Sequence, residues 1–386
     1  MITPRPSAGG TGRGGSSAGD VLSQRALNRA LLARQLLLER HTLPAEAAIA
    51  HLIGLQAQAP NPPYVGLWSR LEGFQPEDLA RLITERRAVR IALMRNTVHL
   101  VTAEDALTLR PLVQPVFDRD LYRNVTHGPS IRGIDLEALV AAGRALVEER
   151  PRTLKELGEL LQAQWPDRPG AALAYAIRNQ LPLVQVPPRG IWGQSGPAAC
   201  TTLEAWLGRP LDPAPSPETL VLRYLAAFGP ASVRDAQTWS GLTGLRAVFA
   251  RLRPQLVSFR DERGTELFDL PGAPRPDPDT PAPPRLIAEF DNLILSHADR
   301  TRVISDDARR RIATPNGIFP GTILVDGFVS GTWAIERRRD AATLRITPFA
   351  PIGERDRAGL AEEGMRLLQF AVADATSHDI EFAPAQ

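Results

Sequence analysis

The feature that most constrains the fold of this 386-residue chain is a pattern that occurs three times. Each copy has helices, marked by leucines at helical spacing, followed by two short strands that a turn joins. Helices followed by a hairpin predict a winged helix-turn-helix, and three copies predict a tandem array. Because each copy is short for a core of its own, we expect the three to pack together into a curved body.

The predicted elements of each copy follow from hydrophobic spacing and from turn and capping residues. In the first copy they are helices over Ser23–Arg40, Ala45–Gln58 and Pro76–Arg87 and strands over Val89–Leu93 and Thr97–Val101. In the second they are helices over Leu136–Glu149, Thr153–Trp165 and Pro169–Gln180 and strands over Leu183–Val186 and Ile191–Gln194. In the third they are helices over Pro217–Phe228, Ser232–Gly241 and Thr243–Arg253 and strands over Leu256–Arg260 and Thr265–Leu270.

A different pattern follows the Pro-rich linker Pro271–Pro284, so we predict an α+β fold. A strand and its exit are predicted over Leu286–Ile294, further strands over Thr322–Phe328, Gly331–Glu336 and Ala342–Thr347, and a last helix over Asp356–Thr376. The predicted divisions are a Gly- and Ser-rich disordered tail (1–20), three winged helices (21–120, 121–206 and 207–284) and a C-terminal antiparallel β region with a final helix (285–386).

The composition excludes several classes of protein. Apolar residues make up 43% and charged residues 23%, as in a soluble globular protein, and no stretch resembles a membrane span or a secretory signal, so we expect a cytoplasmic location. The single cysteine, Cys200, excludes an intrachain disulfide and a Cys-based zinc site. The chain has no Walker loop, dinucleotide fingerprint or His-Glu-x-x-His motif, so we expect no cofactor and no metal.

The basic residues are almost entirely arginine, with Lys155 as the only lysine. Five arginines lie between Arg81 and Arg95 against one acid, Glu85. Guanidinium groups bind phosphate through paired hydrogen bonds, which favours a nucleic-acid partner for the repeated winged helix. A GC-rich genome also produces arginine, and winged helices also bind proteins, so both alternatives stay open.

Two glutamines, Gln56 and Gln58, interrupt an apolar run that predicts a buried helix ending near Pro60. An unpaired buried amide costs about 1–3 kcal/mol, so these side chains need partners. Residues two apart on a helix point about 200° apart, so both amides meet one ligand only if the helix ends there. The alternative is an ordinary pair of helix-terminal glutamines.

Two further polar stretches supply candidate DNA-binding residues. Met94–Val101 surrounds a hairpin turn, and Ser296–Arg300 is polar where the chain leaves a predicted strand. A Ser-His-Asp triad in the second stretch is excluded, because residues so close in sequence rarely attain triad geometry and no Gly-x-Ser-x-Gly turn precedes them. The candidates are Arg95, Asn96, Thr97, His99, His297, Asp299 and Arg300.

Three stretches in this order, His51–Gln58, Leu93–Val101 and Phe290–Arg300, closely resemble the bacterial winged-helix DNA glycosylases of the AlkZ and YcaQ kind. The resemblance runs from about Leu22 to the C-terminus. It implies tandem winged helices that form a C-shaped channel around DNA. It also implies that Gln56 and Gln58 are the catalytic pair.

The same resemblance bears on the branch of the family. Gln58 stands where YcaQ-like relatives carry aspartate, which places the chain nearer the AlkZ branch. That branch is associated with self-resistance to DNA-alkylating natural products in the bacteria that make them. Asn96 departs from the pattern, because many relatives carry glycine there.

The expected reaction is hydrolysis of the glycosidic bond of N7-alkylated purines by a monofunctional glycosylase. Such a base is positively charged and leaves without protonation, so two amides suffice to position a water, with the Gln56 carbonyl facing the sugar. The expected partner is double-stranded DNA carrying alkylated bases, including bulky adducts and interstrand crosslinks, bound by a nucleoid-associated monomer. The alternatives are a non-catalytic winged-helix transcriptional regulator and a protein-interaction scaffold.

Overall fold

The computed structural model describes residues 20–313 and 319–385. Within these ranges the chain has a mixed α+β architecture, with seventeen α-helices and thirteen strands in three sheets. The tail predicted over residues 1–20 lies outside the described residues, apart from Asp20. No helix in these ranges is both long enough and apolar enough to cross a membrane.

The bounds of the elements are as follows. The first part contains β1 (Val21–Leu22), α1 (Gln24–Arg34), α2 (Ala45–His51), β2 (Leu55–Gln56), α3 (Pro62–Trp68), α4 (Pro76–Thr84), β3 (Ala88–Ala92) and β4 (Val98–Thr102). The second contains α5 (Ala103–Leu112), α6 (Gln114–Arg123), α7 (Gly128–Ile131), α8 (Leu136–Glu149), α9 (Leu154–Gln164), α10 (Gly170–Gln180), β5 (Leu183–Gln185), β6 (Cys200–Thr202) and α11 (Leu203–Leu207). The third contains α12 (Pro217–Phe228), α13 (Val233–Ser240), α14 (Leu245–Leu252), β7 (Val257–Asp261) and β8 (Glu266–Asp269). The last contains β9 (Arg285–Ile287), α15 (Asn292–Leu295), α16 (Asp306–Ile312), β10 (Gly321–Val325), β11 (Phe328–Arg338), β12 (Ala341–Pro348), α17 (Glu354–Ala371) and β13 (Ser377–Phe382).

Helices α8 to α10 and α12 to α14 confirm the predicted helices of the second and third copies within two residues at each end. Their starts follow from capping. The Thr153 hydroxyl accepts a hydrogen bond from the Glu156 amide, and the Glu156 carboxylate accepts one from the Thr153 amide, so α9 begins with a capping box. Asp135 caps α8 in the same way, through the Ala138 amide.

The prediction of the hairpin in the second copy is partly wrong. Strand β5 pairs with β6, at Cys200–Thr202, and the predicted strand Ile191–Gln194 is not a strand. The reason is local, because two prolines follow β5 and cannot donate to a ladder, so pairing resumes only at Ala199, whose carbonyl accepts from the Val186 amide at 2.9 Å. Strand β5 also pairs with β3, which joins the first two hairpins in one sheet of order β2-β4-β3-β5-β6.

The C-terminal sheet has the order β13-β12-β11-β10-β9. Its central strands form the predicted antiparallel meander, and β13 adds a parallel edge that was not predicted. The last helix ends at Ala371, earlier than expected. Helices α3, α5 to α7, α11 and α15 were also missed, and α15 lies where the exit of a strand was expected.

Buried ion pairs join distant parts of the chain. Arg34 of α1 binds Asp269 of β8 through two hydrogen bonds of 2.6 and 2.8 Å, and Arg70, after α3, binds Asp291 through two of 2.8 Å. The side chains of both pairs are at most 2% exposed. Much of the arginine content therefore serves the interior of the fold.

Candidate active site

The two glutamines do not lie on a helix, so the prediction of one helix over Ala45–Gln58 is wrong beyond His51. Helix α2 ends there, and the chain reverses through Ile53 and Gly54, whose φ angles are 55° and 88°. A Cβ on residue 54 would lie 2.4 Å from Cγ1 of Val101, so the reversal requires glycine. The turn converts the helix into the short strand β2.

Strand β2 runs along β4, and this pairing determines where the two amides point. Gln56 lies opposite His99, and the Ala57 amide donates to the Val98 carbonyl at 2.7 Å. The Gln58 Oε1 accepts from the Val98 amide at 2.8 Å, so this side chain extends the ladder by one hydrogen bond. Gln56 is 7% exposed, whereas Gln58 is exposed.

The Gln56 amide is held by Arg95. Its Oε1 accepts from the Arg95 guanidinium at 2.7 Å, and Arg95 also donates to the Trp239 carbonyl and lies 3.4 Å from Oδ1 of Asn292. Arg95 therefore occupies one of the two lone pairs of this oxygen, and the expectation that the Gln56 carbonyl faces the sugar stays a prediction. The Gln56 Nε2 has no hydrogen-bond partner among the described residues, so the N–H side of the amide is also free.

Arg90 supports the strand from behind. This residue is 2% exposed, and its guanidinium donates to the carbonyls of Ala57 at 2.8 Å and Ala59 at 3.3 Å and to the Gln185 side chain at 3.2 Å. Burial lowers the pKa of Arg90 to about 10, so it remains a cation at neutral pH. A fixed cation therefore binds the backbone between and beyond the two glutamines.

A small cavity of about 10 Å³ lies beside Gln56, with room for about one water molecule. Glu289 and Asn292 line it as well. Glu289 is an exposed residue by surface area, its carboxyl makes no hydrogen bond or ion pair with another described residue, and desolvation by the neighbouring protein raises its pKa. Neither residue was predicted from the sequence, although Asn292 lies within the stretch Phe290–Arg300 and Glu289 directly before it.

The described residues contain no group of three or more His, Cys, Asp or Glu side chains placed to hold a metal ion. The polar groups around the cavity are amides, two carboxyls and one buried guanidinium. This set suits a bound water, because it offers both donors and acceptors of hydrogen bonds.

The arginines between Arg81 and Arg95 all have partners within the protein. Each donates to protein groups, as Arg90 and Arg95 show. The partners of the other three are the Asp78 carboxylate for Arg81, the Trp206 carbonyl for Arg86 and the Glu46 carboxylate for Arg87.

Asn96 and Thr97 fix the hairpin turn from inside. The Asn96 side chain donates to Asp120 at 2.8 Å and to Asn179 at 3.0 Å and accepts from Arg178 at 2.7 Å. Its φ of 58° is left-handed, a conformation that asparagine tolerates better than most residues. The Thr97 hydroxyl donates within the turn. Asn96 therefore connects the turn between β3 and β4 to α6 and α10, and Thr97 stabilises the turn itself.

Neither predicted DNA-binding histidine is accessible, so we do not retain them as DNA contacts. His99 is 0% exposed and His297 is 2% exposed, and burial lowers the pKa of each to about 3. The His99 Nδ1 donates to the Thr97 carbonyl at 3.0 Å, which leaves its Nε2 as a bare acceptor without a partner. The His297 Nε2 lies 3.0 Å from the Phe228 carbonyl.

Arg300 is the predicted residue best placed for a phosphate. Asp299 is engaged with Arg263 at 2.8 Å and with the Thr301 amide at 2.9 Å, so it orders a loop. Arg300 is partly exposed, and among the described residues its terminal guanidinium nitrogens make no hydrogen bond. Its charge helps to lower the pKa of Arg95, which shows that it lies near the site.

Comparisons with known proteins bear on the family and the fold. A sequence model of the AlkZ-like DNA glycosylase family matches residues 49–370. The structure of the Streptomyces sahachiroi DNA glycosylase AlkZ is similar, with a TM-score of 0.77 and 18% identity over 94% of this chain and 100% of that chain. No curated protein matches the sequence. The family match includes the Gln-x-Gln strand and the stretch from Phe290 to Arg300.

Proposed function

This chain belongs to the AlkZ-like DNA glycosylase family, whose substrate is DNA, and from that premise we propose that it hydrolyses the N-glycosidic bond of N7-alkylated purines in duplex DNA. The observation that carries the proposal is the state of Gln56. Its oxygen is fixed by Arg95, and Gln56 lines a cavity that holds about one water. An amide held in this way can orient a nucleophile.

The chemistry explains why an amide suffices. Alkylation at N7 makes the purine a cation, so the base departs as a neutral molecule and needs no general acid. The protein must then hold a water against C1′ while positive charge develops on the sugar. We assign Gln56 to this water and Gln58, on the exposed side, to the substrate sugar. A site without a general acid also leaves undamaged bases intact, since their leaving groups require protonation.

We propose that the three helix-and-hairpin units act as winged helices around the duplex, within one chain acting as a monomer. An open channel of this kind accepts bulky adducts and crosslinks that a tight base-flipping pocket excludes. A monofunctional reaction is supported by Lys155, the only lysine, because it lies on α9 with its side chain 87% exposed and next to Glu159. The role in the cell would be base excision repair or self-resistance to a DNA-alkylating natural product.

The experiment uses a duplex with one N7-methylguanine, followed by alkali to reveal abasic sites. Gln56→Ala, Gln58→Ala and the double variant are compared with Gln164→Ala, an exposed glutamine at the end of α9. We expect the double variant to fall to the rate of spontaneous base loss while still binding the duplex, and the control to match the wild type. Unchanged excision by the double variant would refute the proposal.

A further inference from the structure

The proposed hydrolysis leaves a proton without an acceptor. Water adds to C1′, the C1′–N9 bond breaks with its electron pair returning to the cationic purine, and the purine leaves neutral. The attacking water must then lose one proton to yield the C1′ hydroxyl of the abasic site. Neither glutamine can take it, because an amide is not a base at neutral pH.

We propose that Glu289 is the general base that accepts this proton, an inference that rests on the proposed function. Glu289 follows β9 by two residues and lines the same one-water cavity as Gln56. A water in that cavity can accept from Gln56 and donate to the carboxylate. It is then held on both sides and aligned by a donor and an acceptor.

The other carboxylate of the cavity is already engaged. Both oxygens of Asp291 bind Arg70 at 2.8 Å, and one of them also accepts from the Leu293 amide at 2.8 Å. The Glu289 carboxyl has no such partner among the described residues. Glu289 is therefore the carboxylate at this cavity that is free to bind a water and take its proton.

The surroundings predict the pH dependence. The charged and titratable groups around the cavity are Arg70, paired with Asp291, and Arg95, which holds Gln56 and whose pKa is lowered only to about 10. His99, opposite Gln56, has its pKa lowered to about 3 and is neutral above that. Desolvation raises the pKa of the Glu289 carboxyl above its ordinary value, so this carboxyl is the group at the cavity whose protonation we expect to limit the rate as the pH falls. A base acts when deprotonated, so the rate falls as the pH drops through this pKa.

The experiment measures single-turnover release of N7-methylguanine from a duplex between pH 5 and 8, with spontaneous loss subtracted. Glu289→Gln keeps the size and polarity of the side chain and removes the base, and Glu289→Asp keeps a carboxylate. Glu137→Gln makes the same charge change at an exposed glutamate of α8. Gln56→Ala is measured in parallel, and duplex affinity is measured for every variant.

We expect Glu289→Gln to lower the rate about 100-fold, at the lower end of what general bases contribute, with a flat pH profile and unchanged duplex affinity. Glu289→Asp should retain part of the rate and the pH dependence. If Glu289→Gln stays within about 3-fold of wild type while Gln56→Ala is inactive, the role of Glu289 is overturned and the proposed function stands. If the loss of rate follows a loss of duplex affinity, the carboxylate is not a base. If the double variant that combines Gln56→Ala and Gln58→Ala is also active, both proposals fail.

Discussion

The buried pair of Arg70 and Asp291 gives a quantitative prediction for Asp291→Asn. Asparagine caps helices as well as aspartate does, so the hydrogen bond to the Leu293 amide and the start of α15 are kept. What is lost is the negative charge beside a guanidinium whose side chain is 1% exposed. An unpaired buried charge costs about 3–5 kcal/mol.

This cost converts into a measurable shift in melting temperature. For 386 residues that unfold as one unit, the entropy of unfolding is about 0.8 kcal/mol per kelvin, so Tm should fall by about 4–6 °C. The matched control is Asp374→Asn, because Asp374 binds Arg337 in the same two-bond geometry, at 3.0 and 2.7 Å, but at the surface. We expect no measurable shift for the control. Equal shifts for the two variants, measured by calorimetry at neutral pH, would show that burial does not set the strength of these pairs.

Three further predictions concern the site. Arg300→Gln should weaken duplex binding and lower the slope of log affinity against log salt concentration by about 1. Titrations at several salt concentrations measure this slope, and an unchanged slope would mean that Arg300 does not contact phosphate. The pKa values of buried His99 and His297 are lowered to about 3, below the pKa of a histidine in the unfolded chain. Folding stability should therefore fall as the pH drops from about 6.5 towards 3, by about 1.4 kcal/mol per pH unit for each histidine. Denaturant unfolding at pH 7 and pH 5 tests this, and equal stabilities would contradict it. Arg90→Met should leave the Ala57 carbonyl without this hydrogen bond and lower the free energy of unfolding by about 1–3 kcal/mol. It should also lower the excision rate more than the affinity for duplex DNA. A variant with unchanged stability and full activity would show that β2 does not need Arg90.

The parts of the fold set by local chemistry could be predicted from the sequence. Leucine spacing and the Thr153 capping box define α8 and α9 without help from distant residues. The error at Ile191–Gln194 has the opposite origin, because apolar residues after a proline turn resemble a strand, whereas the ladder closes only at Cys200. Pairing across a loop depends on which backbone groups meet in space, and one sequence does not state that.

In the candidate site, too, local features were predicted from the sequence and contacts between distant residues were not. The choice of Gln56 as an unusual polar residue in an apolar run came from the sequence, but the strand that carries it depends on Gly54 lying against Val101. Arg95 was expected to bind DNA, yet its guanidinium donates to the Trp239 carbonyl and to the Gln56 side chain. Glu289 offered no pattern, since an isolated acid after a strand is common and only the shared cavity distinguishes it.

Arg95 donates hydrogen bonds to the Gln56 side chain on the edge strand β2 and to the Trp239 carbonyl in α13, and it approaches Asn292 of α15. A single guanidinium thus gathers segments that lie nearly 240 positions apart along the polypeptide. No individual repeat contains the whole of this candidate centre, so we expect the proposed chemistry to be lost if the three predicted units are exchanged or expressed separately. During synthesis on the ribosome the centre forms only after the chain has passed Asn292, and a product truncated before that point can hold Gln56 in its strand without completing its surroundings.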